Sequence, residues 1–221
     1  MARLPRLVVP GQAHHLVQRG HNAQPVFIDD EDRRQYLAAL RDALRAHAVV
    51  LHAYALLDDA VQLLLRPPSE AALSRMVQAV GRRYVAGFNR RHGHRGSLWD
   101  GRFRCGVVEP GPMRLAALLL IDGQSAEPGI TSASHRAGGA RQALLTELPE
   151  VWELGNTPFE REAAYRGLLE RGVANPQAST LRQAALGGWV AGSPAFAAEV
   201  AAATSRVAQP RPRGRPRRSA P

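Results

Sequence analysis

The chain has 221 residues, 45% of them hydrophobic, and a formal net charge of +10 carried by 29 arginines and no lysine. An ordered globular protein is expected rather than a disordered chain. No apolar run nears the roughly 20 residues of a bilayer span and the N-terminus lacks a signal stretch, so a cytoplasmic protein with no membrane partner is expected. The single cysteine, Cys105, excludes an internal disulfide and a cysteine-built metal cage; with Phe103, Val107 and Val108 beside it, it reads as a small core residue on a strand.

In chain order, residues 14–18 read as a short strand that closes at the turn-like Arg19-Gly20-His21-Asn22. Asp29 to Asp32 supply a cap and an acidic first turn for a helix, along which Tyr36, Leu37, Leu40, Leu44 and His47 recur at helical spacing. Residues 49–57 and 61–66 read as two strands joined at Asp58-Asp59, a hairpin ended by Pro67-Pro68. Ser69 is expected to cap a second long helix that buries Leu73, Met76, Val77, Val80, Tyr84 and Phe88. Gly93 and Gly96 break that helix, 102–109 reads as another strand, and Pro112 opens a third helix running through Leu120. Helices packed on one face of an antiparallel sheet make an α+β, ferredoxin-like fold.

That domain is expected to span 1–137. A small helical C-terminal region follows over 138–205, with helices near 158–171, 177–186 and 193–204, the last capped by Ser193 with Pro194 at its first position. Residues 206–221, rich in Arg, Pro and Gly, read as a tail that is disordered on its own.

The charge is concentrated. Residues 80–104 hold seven Arg against one acid, and 206–221 hold six against none, which leaves −2 on the other 180 residues. Two basic segments, one with aromatics between its arginines, point to nucleic acid. Arg82, Arg83, Arg90, Arg91, Arg95, Arg102 and Arg104, with Asn89 among them, are candidate phosphate contacts, and Trp99 or Phe103 is a candidate to stack on an unpaired base. In the tail, Arg213, Arg215, Arg217 and Arg218 lie in a Pro-Arg-Gly-Arg-Pro-Arg-Arg run that resembles an AT-hook, an extended segment that follows a narrow A·T minor groove.

Several stretches share an order and spacing. They are Gln18-Arg19-Gly20-His21-Asn22 with Gln24-Pro25-Val26-Phe27; Leu51-His52-Ala53-Tyr54-Ala55-Leu56; Gly81-Arg82-Arg83-Tyr84-Val85 with Phe88-Asn89-Arg90-Arg91; and Gly96-Ser97-Leu98-Trp99-Asp100-Gly101-Arg102-Phe103. Ser134-His135-Arg136-Ala137 and Gly188-Trp189-Val190-Ala191-Gly192-Ser193 with Phe196 extend the pattern. Together they resemble the REP-associated tyrosine transposases, members of the HUH group that cut single-stranded DNA with one tyrosine. The resemblance implies binding of a single-stranded or hairpin DNA, a role for Arg19, His21 and Asn22 in a family loop, and a homodimer. It also implies a catalytic centre in which two histidines, one residue apart on a strand, hold Mg or Mn while a tyrosine on the third helix attacks the phosphorus.

The catalytic part of the pattern is missing. Where the family strand reads Asn-His-Val-His-Leu-Leu, this chain has Asp59-Ala60-Val61-Gln62-Leu63-Leu64; Leu120 falls at the nucleophile, and 116–130 contains no tyrosine. A methyl and a neutral amide replace two imidazoles, so no metal cofactor and no strand cleavage are expected. The alternative is an active metal-dependent transposase whose site is rebuilt from Asp58, Asp59, His52 and His14 or His15. Tyr36, Tyr54 and Tyr84 sit in apolar patterns and read as packing aromatics rather than as replacement nucleophiles.

Overall fold

The computed structural model of the chain describes residues 6–127 and 129–210. Strand β1 (Ala13–Arg19) pairs antiparallel with β3 (Ala60–Arg66) on one side and with β4 (Arg104–Val108) on the other. β2 (Val50–Leu57) and β3 form the expected hairpin, with Leu57 opposite Ala60 across Asp58-Asp59. The full order is β2-β3-β1-β4-β5, in which the two-residue β5 (Val190–Ala191) runs parallel to β4.

Side chains alternate across each strand, so the sheet has two different faces. Leu16, Leu51, Tyr54, Val61, Leu63 and Cys105 point into a core shared with α1 (Asp30–His47) and α2 (Ala72–His92). α1 begins where expected: the Asp29 side chain accepts from the Asp32 N–H, and Asp30, Glu31 and Asp32 oppose the positive end of the helix dipole. α2 departs from expectation at its start. The cap position falls to Ala71, and Ser69 accepts from the Ala72 N–H through its carbonyl, at 3.1 Å, with no side-chain cap bond at this helix end.

The sequence accounted for helices on one face; the structure covers the second face as well. There the strands carry small residues, Ala53, Ala55 and Gly106, and helices α3 (Pro112–Asp122), α5 (Pro158–Arg171) and α6 (Asn175–Gly187) come down on them, with the short α4 (Pro149–Trp152) beside α3. A Cβ at Gly106 would stand 2.6 Å from the Ala184 carbonyl carbon, so α6 reaches the sheet only where no side chain intervenes. The C-terminal segment is therefore built onto the sheet and closes its far edge through β5. α7 (Pro194–Thr204) follows, with Ser193 accepting from the Phe196 N–H as its cap.

A buried polar network fastens the two parts. Asp122, at the end of α3, accepts from Ser132, from the Tyr165 hydroxyl of α5 (2.6 Å) and from Arg136 (3.3 Å), whose guanidinium also reaches Glu147 (3.1 Å) and the His52 carbonyl. Among the described residues no helix is long and apolar enough to cross a membrane.

Candidate nucleic-acid interface

The β1–β3 register sets Val17 opposite Gln62 and Arg19 opposite Ala60, so Ala60 and Gln62 share a face two residues apart. They line a hollow of about 520 Å³ together with Arg19, Asn22, Asp59 and Asp100. Ala60 brings no donor atom. The Gln62 amide oxygen is already engaged, accepting from His15 Nε2–H at 2.9 Å. Burial lowers the His15 pKa to about 4, which keeps that imidazole neutral near pH 7. α3 packs on the same sheet face, but its Leu120 is buried in the apolar cluster that includes Leu64 and Ala55.

The groups that would rebuild a metal site stand apart. His14 accepts from the Val9 N–H at Nε2 (3.0 Å) and donates from Nδ1 to the Gln12 carbonyl (2.9 Å). His52 donates to the Thr146 carbonyl (2.7 Å), and Asp58 pairs with Arg33 (2.6 Å). Among the described residues no group of three or more His, Cys, Asp and Glu is placed to hold a metal ion. The Tyr54 and Tyr84 hydroxyls donate to Gln142 and to the Val26 carbonyl, and burial raises the pKa of both phenols, the opposite of what an attacking phenolate needs.

The basic segment divides into two kinds of arginine. Arg91 is an internal tie: it pairs with Asp29 (2.5 Å) and with the fully buried Asp32, joining the end of α2 to the start of α1. Arg83 pairs with Asp42 on α1. Arg82, Arg90, Arg95 and Arg102 are exposed and, among the described residues, meet no carboxylate; Arg104 donates only to the Leu186 carbonyl (2.9 Å). Arg19, His21 and Asn22 are exposed; Arg19 and Asn22 line the Gln62 hollow, His21 does not, and Asn22 takes the left-handed conformation at φ 53°. Asn89 is half-buried, its amide oxygen 2.9 Å from His94 Nδ1.

The expected stacking residues belong to the core. Trp99 is only 8% exposed, its ring 6.4 Å from those of Tyr36 and Tyr84, and Phe103 is buried beneath the Arg6 guanidinium, which sits 3.8 Å above its ring. Neither presents an open face to a base, because the loop after α2 folds both rings back under that helix. Arg213, Arg215, Arg217 and Arg218 lie outside the described residues.

What the structure adds is a groove of about 820 Å³ between α2 and the 99–103 segment. Arg75 and Arg82, two helical turns apart, stand on one side and Arg102 and Arg6 on the other; Val77, Val85 and Phe103 give it an apolar lining, and no carboxylate lines it. Gly81 and Gly101 leave it open, since a Cβ at either would meet nothing within 4 Å. Trp99 Nε1, in the same wall, is a buried donor with no protein partner. Arg75 and Arg6 escaped the sequence reading. The seven-residue step from Arg75 to Arg82 is visible in the sequence, whereas the approach of Arg6 is purely tertiary.

No family model and no curated protein matches the chain. Solved structures similar to part of it include the following two. One is a REP-associated tyrosine transposase bound to a REP hairpin, 11% identical, aligned over 55% of this chain and 70% of that one with a TM-score of 0.45. The other is a candidate transposase from Deinococcus radiodurans R1, 23% identical, aligned over 49% of this chain and 88% of that one with a TM-score of 0.39.

Proposed function

We propose that the chain binds structured DNA, a hairpin or another element with unpaired bases, and does not cut it. The observation that carries this reading is the groove along α2: arginines on both sides, an apolar lining and no carboxylate. Guanidinium groups neutralise backbone phosphates and release their counterions, which supplies most of the affinity of a nucleic-acid binder. The lining formed by Val77 and Val85 accepts the apolar face of a base or sugar. A groove of this kind suits an unpaired strand, whose bases are free to leave the stack.

The absence of cleavage is supported separately, by chemistry. Ala60 has no ligand atom, Gln62 is bonded to His15, and Leu120 has no nucleophile. Binding and cutting use different side chains, so loss of the second leaves the first intact. A dimer, which the sequence resemblance implies, is not required by this groove.

The test is a labelled hairpin DNA incubated with the protein, with and without Mn²⁺ or Mg²⁺, with binding and cleavage scored on one gel. A retarded, salt-sensitive complex free of nicks and covalent adducts is expected. Metal-dependent nicking overturns the inactive reading in favour of a rebuilt site, and no retardation at low salt overturns the DNA-binding reading.

A further inference from the structure

The sheet ends at β2, and along that edge lies a hollow of about 630 Å³ between α1 and residues 142–146. Arg34, Arg41 and Arg45 recur on one face of α1 and line it, over an apolar floor that includes Leu37, Leu44 and Val49; no carboxylate lines it. Arg45 is exposed and, among the described residues, meets no carboxylate. Arg34 pairs with Glu31 (2.8 Å) and Arg41 with Asp42 (3.8 Å), both on the open surface, where such a pair is worth little and yields readily to a phosphate. The opposite wall is fixed in place: the Thr146 N–H donates to the Leu51 carbonyl (2.9 Å), and the Tyr54 hydroxyl donates to Gln142 (2.9 Å).

The same segment has a second side. Arg141 and Glu147 line a small adjoining hollow with Trp152 and Arg161. Trp152, the last residue of α4, is 53% exposed, and the Arg161 guanidinium lies 4.6 Å above its ring, held there by a bond to the Gly155 carbonyl (3.0 Å). A cation thus covers one face of the indole and leaves the rest of the ring to a planar ligand. Of the two carboxylates on this side, Glu147 pairs with His135 (2.8 Å) and Arg136 (3.1 Å), and Glu162 shares the lining with Arg141 and Arg161. Trp99 and Phe103 are buried, so the exposed aromatic rings among the described residues are Trp152 and Phe159.

We propose that this edge is a second nucleic-acid contact, holding an unpaired stretch of strand outside the α2 groove: phosphates lie along Arg34, Arg41 and Arg45, and a base beyond residues 141–147 stacks on Trp152. The inference rests on the reading that the ligand is DNA with unpaired bases. Charge selects the occupant. Guanidiniums at helical spacing over a wall without acids match a backbone of phosphates, and an open aromatic face accepts any base. A duplex keeps its bases stacked inside, so a single strand is the form that reaches the ring.

The test titrates the full chain with a hairpin and with an unstructured oligothymidylate, following tryptophan fluorescence and the anisotropy of the labelled DNA at several salt concentrations. The single strand is expected to quench the exposed Trp152 of the wild type. Trp152→Leu is expected to lose that quench and about tenfold in affinity for the single strand, the scale of one base stacked on an aromatic, with an unchanged salt slope. Arg45→Gln keeps the quench and has a slope shallower by about 0.7, the value for one phosphate contact on a single strand. Both side chains are exposed, so both variants keep the wild-type fold, which circular dichroism checks. Arg82→Ala, in the α2 groove, weakens hairpin binding and leaves the quench by the single strand in place. Wild-type affinity, quench and slope in Trp152→Leu and Arg45→Gln, with hairpin binding that still depends on Arg82, overturn the second contact and leave the first. A wild type that binds neither probe overturns both readings. Unaltered DNA binding by a Trp152→Leu protein that no longer self-associates in sedimentation makes the ring a contact between copies of the chain and overturns the proposal.

Discussion

Three histidines, His14, His15 and His52, are buried in and around the sheet, and burial lowers the pKa of each from 6.5 to about 4. His14 shows why the neutral form is required: Nε2 accepts from the Val9 N–H, so a second ring proton would point at another donor. The sign follows directly. As pH falls through 6.5 the unfolded chain binds protons that the folded chain refuses until about pH 4, so stability is fully present above 6.5 and drains away towards 4. The slope between pH 6 and 5 approaches three protons, or about 4 kcal/mol per pH unit, before the carboxylates begin to titrate. Urea melts across that window check it, and His14→Gln is expected to reduce the count to about two protons. A flat profile from pH 7 to 5 contradicts the buried neutral histidines. At this scale part of the chain was legible in advance. The caps Asp29 and Ser193 and the buried tyrosines follow from local pattern. Trp99 misled because an aromatic between arginines has the same sequence whether its ring faces a base or Tyr36.

The two kinds of arginine on α2 separate at the level of the element. Arg90 and Arg91 are neighbours in sequence but a helix turns each residue about 100° from the last, so one faces solvent and the other faces Asp29 and Asp32. Arg91→Ala leaves the buried Asp32 with the His92 ring nitrogen (3.0 Å) and the Ile28 N–H (2.9 Å) as partners but without its guanidinium. The expected loss of stability is about 2–3 kcal/mol, below the figure for a fully buried pair because the Arg91 side chain is 32% exposed. Arg90→Ala is expected to leave the melting temperature unchanged, while Arg82→Ala at the groove weakens hairpin binding several-fold with a shallower salt slope. Calorimetry paired with DNA titration on the three variants checks the division. A stable Arg91→Ala protein that has lost DNA binding reverses it. Charge counting over 80–104 located the basic segment but could not sort its members, because the acids that neutralise Arg83 and Arg91 lie on α1, far away in sequence. The helix expected near 158–171 is found at Pro158–Arg171, opened by a Thr157 cap with Pro158 at its first position. The strand Val190–Ala191 was not legible, since two residues show no period and its pairing depends entirely on β4.

The whole molecule departs most from its sequence outline at the boundary near residue 137. Composition suggests a sheet domain followed by a separate helical region, because strand signals stop there. The small residues Ala53, Ala55 and Gly106 carry the missing information: a face that lacks bulky side chains cannot be a finished surface, and α3 and α6 fill it. Leu148, Val151, Tyr165, Leu181 and Ala184 belong to the same apolar cluster as Leu64 and Val108, so a cut at 137 removes half of one core. The Tyr165 hydroxyl on Asp122 makes the coupling testable, since it links α5 to the end of α3 across that boundary. Tyr165→Phe removes one hydrogen bond to a buried carboxylate, with an expected cost of about 1.5–3 kcal/mol. If the chain is one cooperative unit, thermal unfolding followed through Trp99 in the sheet core and through Trp152 and Trp189 beyond the boundary gives coincident transitions, obtained with single-tryptophan variants. Tyr165→Phe should then move both by the same amount. Separate midpoints, with only the C-terminal probes shifted, restore a boundary at 137 and make the second face of the sheet a docking surface between two domains.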